Sequence, residues 1–364
     1  MLQPPPSGSG SQPPPSGSGS QPPPSGSGSQ PPPSGSGSIV ALAGGIGAAR
    51  FLRGLVRATT PAGLTVIANT GDDLRLHGLP VSPDLDTITY TLGGGVHPEQ
   101  GWGRADETFA VAGELRDTYG RQPWFALGDR DIATHLVRLE VLLGGGTLSE
   151  ATRVITQAWG LGFRLLPMTD DPVATHIRTV DGRELGFQEW WVGERAESEV
   201  AEVWLSGAAA ARPAPGVLEA IAEADAVLLC PSNPVVSIGT ILSLPGVREA
   251  LVQATVVGVS PIVGGRVVLG MADRLLRATG TAVSALGVAE RYADFLDGWV
   301  IDHADAALKS AIAGLGVRVA VTDTIMDRVE VAEALARVAL ELAGVSAGEG
   351  GRAATAGKGE ELSD

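Results

Sequence analysis

Four carboxylates crowd two short motifs early in the chain. Asp72 and Asp73 end the run NTGDD, and Asp84 and Asp86 lie in the run SPDLDT, so all four fall within fifteen residues. Crowded carboxylates repel each other unless a positive charge lies between them. Because Mg²⁺ takes one or two carboxylates together with phosphate oxygens and water, the pattern favours a magnesium site for a diphosphate. Turn and helix-cap chemistry stays open as the other interpretation, since Asp and Asn favour both.

A glycine-rich turn precedes these motifs. Gly44, Gly45 and Gly47 lie in the run GGIGAAR, directly after an apolar segment. Glycine permits close backbone approach, and the unpaired N–H groups of a following helix would face an anion. The run suits a phosphate, although a tight strand-to-helix turn without a ligand explains it as well. It is neither a GxGxxG dinucleotide motif nor a Walker A loop, because no Gly-Lys-Ser/Thr follows.

A third motif places a cation between two acids. In the run LGDRD, Arg130 is flanked by Asp129 and Asp131. Such an arginine either pairs with its neighbours at the surface, where the ion pairs are worth little, or is aimed by them at a phosphate or a ring carbonyl. Both interpretations stay open at the level of sequence.

Two more loops combine proline with short polar groups. Ser232 and Asn233 lie in the run CPSNP, and Ser260 opens the run SPIVGG. Each loop follows an apolar segment, and each suits a rigid nucleotide contact or, equally, a helix cap. We interpret Cys230 as a buried strand-end residue, because no histidine lies nearby in sequence to activate it as a nucleophile. The five histidines show no metal-ligand spacing, so we assign them no metal.

The elements that position these loops are short apolar runs alternating with helices. We predict strands at residues 39–43, 64–68, 226–230, 256–260, 299–301 and 317–321. Uninterrupted apolar strands fit a parallel sheet covered on both faces, and helices predicted at 216–224 and 329–342 alternate with them. The pattern predicts an α/β fold with a doubly wound, mostly parallel Rossmann-like sheet, in which ligands bind at the carboxyl ends of the strands.

The middle of the chain has a different pattern. We predict an inserted, largely helical cap lobe over residues 102–211, and a Rossmann-like core made of residues 39–101 and 212–345. Within the lobe, helices are expected at 108–119, 132–143 and 149–159, and short antiparallel strands at 173–179 and 189–192.

The two ends of the chain lack the composition of a packed core. Residues 3–38 are four copies of QPPPSGSGS, which bury nothing to offset the entropy of ordering. We therefore predict a disordered Pro/Gly/Ser linker over residues 1–38 and a disordered tail over residues 346–364. The start of the chain also lacks the pattern of a signal peptide.

The net charge, the absence of long apolar runs and the cysteine count limit which partners and which compartment we expect. The formal net charge of −15 disfavours nucleic acid. The sequence contains no run of eighteen apolar residues, so we predict no membrane span. Because Cys230 is the one cysteine, no intrachain disulfide can form, and we expect a reducing compartment, the cytoplasm.

Taken in order, the motifs resemble the CofD/FbiA family of coenzyme F420 biosynthesis. The resemblance covers residues 39–327. It is carried by AGGIG at 43–47, NTGDD at 69–73, SPDLDT at 82–87, LGDRD at 127–131, LPMTDD at 166–171, FQEWW at 187–191, PSNP at 231–234, SPIVGG at 260–265 and ADR at 272–274. The chain departs from the family at residues 269–273, which are LGMAD where the family usually has KGPAD, and in its proline-rich repeat.

The resemblance implies a Mg²⁺-dependent transferase that acts as a homodimer. A phospho-organic-acid group, phosphoenolpyruvyl or phospholactyl, would pass from a guanosine-diphospho donor to the ribityl hydroxyl of the deazaflavin Fo, releasing GMP. The implied residues are Asp86 and Arg130 for catalysis at the acceptor, Asp73, Asp84 and Asp86 for Mg²⁺, and Gly44, Gly45, Gly47, Asn69, Thr87, Ser232, Asn233 and Ser260 for substrate.

Two other functions stay open. A non-catalytic nucleotide-sugar-binding regulator of the same fold would share the glycine-rich turn, but it has no need of the SPDLDT and LGDRD runs. An NAD-dependent oxidoreductase is disfavoured because the chain lacks GxGxxG. Binding of Fo would separate the transferase from both.

Overall fold

A computed structural model describes residues 37–121 and 124–346 of the chain. The strands in these residues are β1 (Ile39–Ala43), β2 (Leu64–Ala68), β3 (Leu74–Leu76), β4 (Leu79–Val81), β5 (Arg164–Pro167), β6 (Ala174–Thr179), β7 (Glu184–Gly186), β8 (Val200–Ser206), β9 (Ala226–Leu229), β10 (Val256–Val259), β11 (Ile262–Val263), β12 (Arg266–Val267), β13 (Gly298–Asp302) and β14 (Arg318–Thr322). The helices are α1 (Gly45–Ala58), α2 (Pro83–Leu92), α3 (Ala110–Asp117), α4 (Asp129–Leu143), α5 (Leu148–Ala158), α6 (Val217–Ala222), α7 (Ile238–Leu242), α8 (Val247–Val252), α9 (Ala272–Ala278), α10 (Ala285–Tyr292), α11 (Lys309–Ala313) and α12 (Val329–Leu342). The predicted linker and tail lie outside the described residues, apart from positions 37, 38 and 346.

Seven strands form one parallel sheet in the order β14-β13-β10-β9-β1-β2-β5. The chain starts in the middle of the sheet at β1, continues outward through β2 and β5, and then returns to β9 on the other side of β1. The direction of winding therefore reverses between β1 and β9. In doubly wound sheets the crevice at this switch point, outside the carboxyl ends of the strands, is where ligands bind. The predicted α/β, Rossmann-like fold class is confirmed.

Helices cover both faces of the sheet. On one face α1 and α12 pack on β1, β2 and β10, and on the other face α6, α7, α8 and α10 enclose a second apolar cluster. Gly54 lets α1 and α12 approach closely, because a Cβ there would lie 2.1 Å from the carbonyl carbon of Ala332. Over residues 37–121 and 124–346, no helix combines the length and the apolarity needed to cross a membrane.

Residues 102–211 contain α3, α4, α5 and a small antiparallel sheet in the order β7-β6-β8. The predicted helices and the strand at 173–179 are confirmed. The strand predicted at 189–192 is wrong, because Glu189–Gly193 is a π-helical turn. This region also supplies β5, which pairs with β2 in the central sheet. The division into a core and a cap lobe stays a prediction.

Candidate active site

The glycine-rich turn joins β1 to α1 at the switch point. Gly45 has a φ of +73°, which favours glycine. A Cβ on Gly44 would lie 2.7 Å from Asp84 Oδ2, and one on Gly47 would lie 2.5 Å from the carbonyl oxygen of Pro231. The Gly44 N–H donates to Ser232 Oγ at 3.1 Å and so connects the loops after β1 and β9. Side chains are therefore excluded where the start of α1 would face an anion.

The loop after β2 and the start of α2 bring acidic side chains together around Asn69. Asn69 is fully buried, and its Nδ2 donates to Asp72 Oδ1 at 2.7 Å and to Asp84 Oδ2 at 2.9 Å. The other oxygen of Asp84 accepts the backbone N–H of Gly45 at 2.7 Å. We call Asp72, Asp73 and Asp84 the carboxylate cluster.

Asp73 is the member of the cluster with a free oxygen. Its Oδ2 accepts from Ser82 Oγ at 2.6 Å, whereas Oδ1 is buried and has no hydrogen-bond partner among the described residues. An acceptor without a donor is costly in a buried position unless a cation or a ligand satisfies it. The orphaned oxygen of Asp73 therefore points to a ligand or a cation at this position.

The electrostatics of the cluster support the same interpretation. Burial raises the pKa of Asp84 to about 6, against the hydrogen bonds from Asn69 and Gly45, which lower it. Burial, followed by repulsion from Asp84 and Asp73, raises the pKa of Asp72 well above its usual range, and burial does the same for the pKa of Asp73. Three carboxylates that resist ionisation together fit a cation between them.

The donor set fits Mg²⁺ in a specific way. Among residues 37–121 and 124–346, no group of three His, Cys, Asp or Glu side chains is arranged to hold a metal ion by itself. Mg²⁺ usually takes only one or two carboxylates and completes its octahedron with water and substrate phosphates. Asp73 and Asp84 suit that arrangement, with a diphosphate as the remaining ligand.

Asp86 lies in a different environment, in an ion pair with Arg138 of α4. The Arg138 side chain is 1% exposed, and it donates to both carboxylate oxygens of Asp86 and, at 3.2 Å, to the carbonyl oxygen of Pro80. Its Nη1 also lies 3.1 Å from Nδ1 of the buried His135. Asp86 is thus held between α2 and α4, and its part in metal binding stays a prediction.

Arg130 stands apart from its two acidic neighbours. Asp129 accepts the backbone N–H groups of Ala110 and Val111 at the start of α3, and Asp131 accepts the hydroxyl of Tyr90 at 2.6 Å. Arg130 is exposed, and within the described part of the chain its guanidinium makes no ion pair. The surface ion-pair interpretation is therefore wrong for this motif. Along α4, Arg130 lies about 12 Å from Arg138, so it is not adjacent to Asp86.

The remaining predicted residues stabilise their own loops. Asn233 Oδ1 accepts the N–H groups of Val235 and Val236 at 2.9 and 3.3 Å. The buried Ser260 hydroxyl bonds both the N–H and the carbonyl oxygen of Ile262. Thr87 is buried in α2, next to Asp86. Of these loops, the one that begins at Ser232 touches the glycine-rich turn.

A cleft of about 1060 Å³ opens beside the carboxyl ends of β2 and β5. Asp73 and Ser82 line it, together with Asp170 and Asp171, which follow β5, and with Arg212, whose Nε lies 3.7 Å from Asp171 Oδ2. The cleft reaches the carboxylate cluster at Asp73, whereas the glycine-rich turn reaches it at Asp84.

Sequence reasoning missed three residues that build the site. In the sequence, Asp72 stands out only as part of the acidic motif, and Gln188 only as part of FQEWW. In the structure, Gln188 Nε2 donates to Asp72 Oδ2 at 2.9 Å. Arg138 carried a readable signal, because Asp131, His135 and Arg138 are spaced i, i+4 and i+7 and so share one face of α4.

The family model and the curated relatives that match this chain agree on one family. Residues 39–337 match the family model described as 2-phospho-L-lactate transferase CofD. Phosphoenolpyruvate transferase of Kitasatospora aureofaciens is 54% identical over 313 residues, covering 84% of this chain and 97% of that protein. Phosphoenolpyruvate transferase of Thermobifida fusca is 57% identical over 293 residues, covering 77% of this chain and 90% of that protein.

Solved structures share the fold at lower identity. A member of the upf0052 family from Bacillus halodurans is 16% identical and superposes with a TM-score of 0.56, covering 84% of this chain and 99% of that chain. At this identity the likeness concerns the fold alone.

Proposed function

Because the chain belongs to the CofD family of 2-phospho-L-lactate transferases, we propose that it transfers a phospho-organic-acid group in coenzyme F420 biosynthesis. The donor would be a guanosine-diphospho compound carrying an enolpyruvyl or lactyl group, and the acceptor the ribityl hydroxyl of Fo. The observation that carries the proposal is the juxtaposition of a glycine-rich helix start with Asp84 and the unsatisfied oxygen of Asp73.

The proposed reaction is a single displacement at phosphorus. The ribityl oxygen of Fo attacks the phosphorus distal to guanosine, the bond from that phosphorus to the bridging oxygen breaks, and GMP leaves. The hydroxyl proton passes to one of the site carboxylates, Asp73, Asp84 or Asp86. In such transfers, positioning and charge neutralisation supply most of the catalysis.

The binding roles divide along the sheet. Gly44, Gly45 and Gly47 would border the diphosphate, because the turn carries no side chains there. Ser232, Asn233 and Ser260 would border the guanosine side of the switch point. Asp73 and Asp84 would hold Mg²⁺, which when bound offsets the negative charge of the diphosphate. These assignments leave the cleft at Asp73 open to the second substrate.

We place Asp86, Thr87 and Arg130 on the acceptor side of the site. Asp86 is fixed by Arg138 and would orient the acceptor, and the exposed guanidinium of Arg130 would supply planar donors to it. Since the two residues lie apart along α4, an elongated acceptor would have to span them.

We further propose that the enzyme acts as a homodimer in the cytoplasm. The family resemblance supports the dimer, and the single cysteine, Cys230, whose thiol is buried with a raised pKa, suits a reducing compartment. Sedimentation equilibrium of the full chain tests the dimer, and a monomer at micromolar concentration would contradict it.

The test of the proposed function is direct. The chain is incubated with Fo, Mg²⁺ and, in turn, the lactyl, enolpyruvyl and glyceryl forms of the guanosine-diphospho donor, and the product is identified by mass. One donor should give the phosphodiester of Fo. Binding of a donor without binding of Fo would instead favour the nucleotide-sugar-binding regulator.

A further inference from the structure

We propose, resting on the function proposed above, that Gln188 is a positioning residue for the transfer site. Gln188 as a whole residue is 8% exposed and lies 116 residues from Asp72 in sequence, yet its Nε2 donates to Asp72 Oδ2 at 2.9 Å. Among the described residues, the Gln188 side chain forms a hydrogen bond with Asp72 and none with the glycine-rich turn or Asp73, so it would act through Asp72.

A continuous chain of hydrogen bonds starts at Gln188. Asp72 accepts from Gln188 on one oxygen and from Asn69 on the other. Asn69 also donates to Asp84, which accepts the backbone N–H of Gly45 at the start of α1. Gln188 thus fixes the far end of a network that reaches the proposed phosphate position.

The backbone around Gln188 is itself held firmly. Gln188 directly precedes the π-helical turn Glu189–Gly193, and π-helical turns are rare and often lie at functional sites. Within the turn, the fully buried Trp190 donates through Nε1 to the carbonyl oxygen of Ser198 at 3.0 Å. Arg274 then holds the carbonyl oxygen of Ala196, a residue with a positive φ of 52°. The turn is therefore anchored on both sides of the exposed Trp191.

The chemistry of the contact explains why a neutral amide stands there. Asp72 already faces repulsion from Asp84 and Asp73, so another carboxylate would add to it. An amide N–H satisfies the second oxygen of Asp72 without adding charge. Both oxygens of Asp72 and of Asp84 accept hydrogen bonds, so within the described part of the chain Oδ1 of Asp73 is the cluster oxygen without a donor.

The first experiment replaces Gln188 with an apolar residue of similar length. Gln188→Met is compared with Gln157→Met, which removes an exposed amide on α5 whose one side-chain hydrogen bond among the described residues is with Arg153. We expect kcat for transfer to fall about tenfold or more in Gln188→Met, with KM for Fo changed less than threefold, because each factor of ten corresponds to about 1.4 kcal/mol of transition-state stabilisation. The control should keep the parent kcat. Parent kcat in a folded Gln188→Met protein would overturn the proposal.

A double-mutant cycle tests whether Gln188 acts through Asp72. If it does, Gln188→Met combined with Asp72→Asn should be no slower than Asp72→Asn alone, since the two losses share one route. Fully multiplicative losses would contradict this route. Gln188→Glu serves if the methionine variant does not fold, and it should also lower kcat about tenfold; full activity in Gln188→Glu would again overturn the proposal.

A binding measurement separates this proposal from the proposed function. Mn²⁺ alone is titrated into the full chain and followed by electron paramagnetic resonance. Gln188→Met should weaken Mn²⁺ binding about threefold or more, and Gln157→Met should not. If the parent gives no product with any donor, the proposed function fails, whereas unchanged Mn²⁺ affinity in Gln188→Met would overturn the positioning role.

Discussion

The side-chain amide of Asn69 donates to the carboxylate of Asp84 at 2.9 Å, and through Asp84 it ties the end of β2 to the start of α1. A helix start attracts anions, and Asp84 already occupies part of that position with a negative group. A phosphate that approaches Gly45 therefore meets Asp84 as well. A divalent cation between the two anions would remove this conflict, which is why the geometry and the proposed Mg²⁺ requirement belong together.

Asn69→Asp should disable this arrangement. The change removes both N–H donors and places a third carboxylate against Asp72 and Asp84, so we expect the free energy of unfolding to fall by about 3 kcal/mol or more. Urea unfolding in the presence of EDTA measures the loss. Asn233→Asp is the matched control, because Asp keeps the oxygen that accepts from Val235. Equal stability of the two variants would show that the Asn69 network contributes little.

The raised pKa of Asp84 predicts a pH dependence of stability. Its folded-state pKa of about 6 lies above the ordinary value of 3.8, so between these values the folded chain binds more protons than the unfolded chain. Asp84 therefore lowers the free energy of unfolding as pH rises through this window, by up to about 3 kcal/mol, and the loss is complete above about pH 6. Asp84→Asn should lack this component. The stability difference between parent and variant, measured in EDTA from pH 4 to 7, should change accordingly, and a constant difference would contradict the assignment.

The Asp86–Arg138 pair should behave as a buried ion pair. Removing one partner leaves an uncompensated charge, so Asp86→Leu or Arg138→Met alone should cost about 3–5 kcal/mol of stability. The double variant Asp86→Leu/Arg138→Met should recover most of this loss, because apolar replacement removes both charges. Exposed Arg277, paired with Asp273 on α9, provides the control, since Arg277→Met should cost at most about 1 kcal/mol. Additive losses in the double variant, seen in thermal melts, would exclude the coupling.

A change at Arg130 should alter catalysis without altering stability. Its guanidinium is exposed and makes no ion pair among the described residues, so Arg130→Lys should keep the parent melting temperature. If the planar guanidinium binds the acceptor, lysine should lower kcat/KM for Fo about tenfold or more. Steady-state kinetics with Fo varied at saturating donor measure the effect. Parent efficiency in the lysine variant would remove Arg130 from the acceptor site.

Much of the fold was predictable because its strands are continuous apolar runs. β1 and β2 begin and end where the pattern placed them, and α12 does as well. β5 was missed because Arg164–Pro167 is a short edge strand that begins with a charged residue. The turn at Glu189–Gly193 was predicted as a strand because Trp and Val favour strands, whereas the structure has a π-helical turn in which Trp190 is fully buried.

The site was predictable only where its residues are close in sequence. Asp73 and Asp84 lie eleven residues apart at strand and helix ends, so their proximity follows from local order. The contacts of Arg138 with Asp86 and of Gln188 with Asp72 span 52 and 116 residues, and no periodicity encodes such partners. These pairs decide which carboxylates are satisfied and leave Asp73 with a free oxygen.

The stoichiometry and rate of product formation decide whether the carboxylate cluster with Mg²⁺ carries out the transfer. GMP release and Fo-phosphodiester formation are quantified in the same reaction for the parent, for the parent in EDTA and for Asp73→Asn. We expect one GMP per phosphodiester in the parent and no product in EDTA, with recovery on adding Mg²⁺. A folded Asp73→Asn protein should be at least a hundredfold slower, which corresponds to about 3 kcal/mol. Full transfer in EDTA, or at the parent rate in Asp73→Asn, would contradict it.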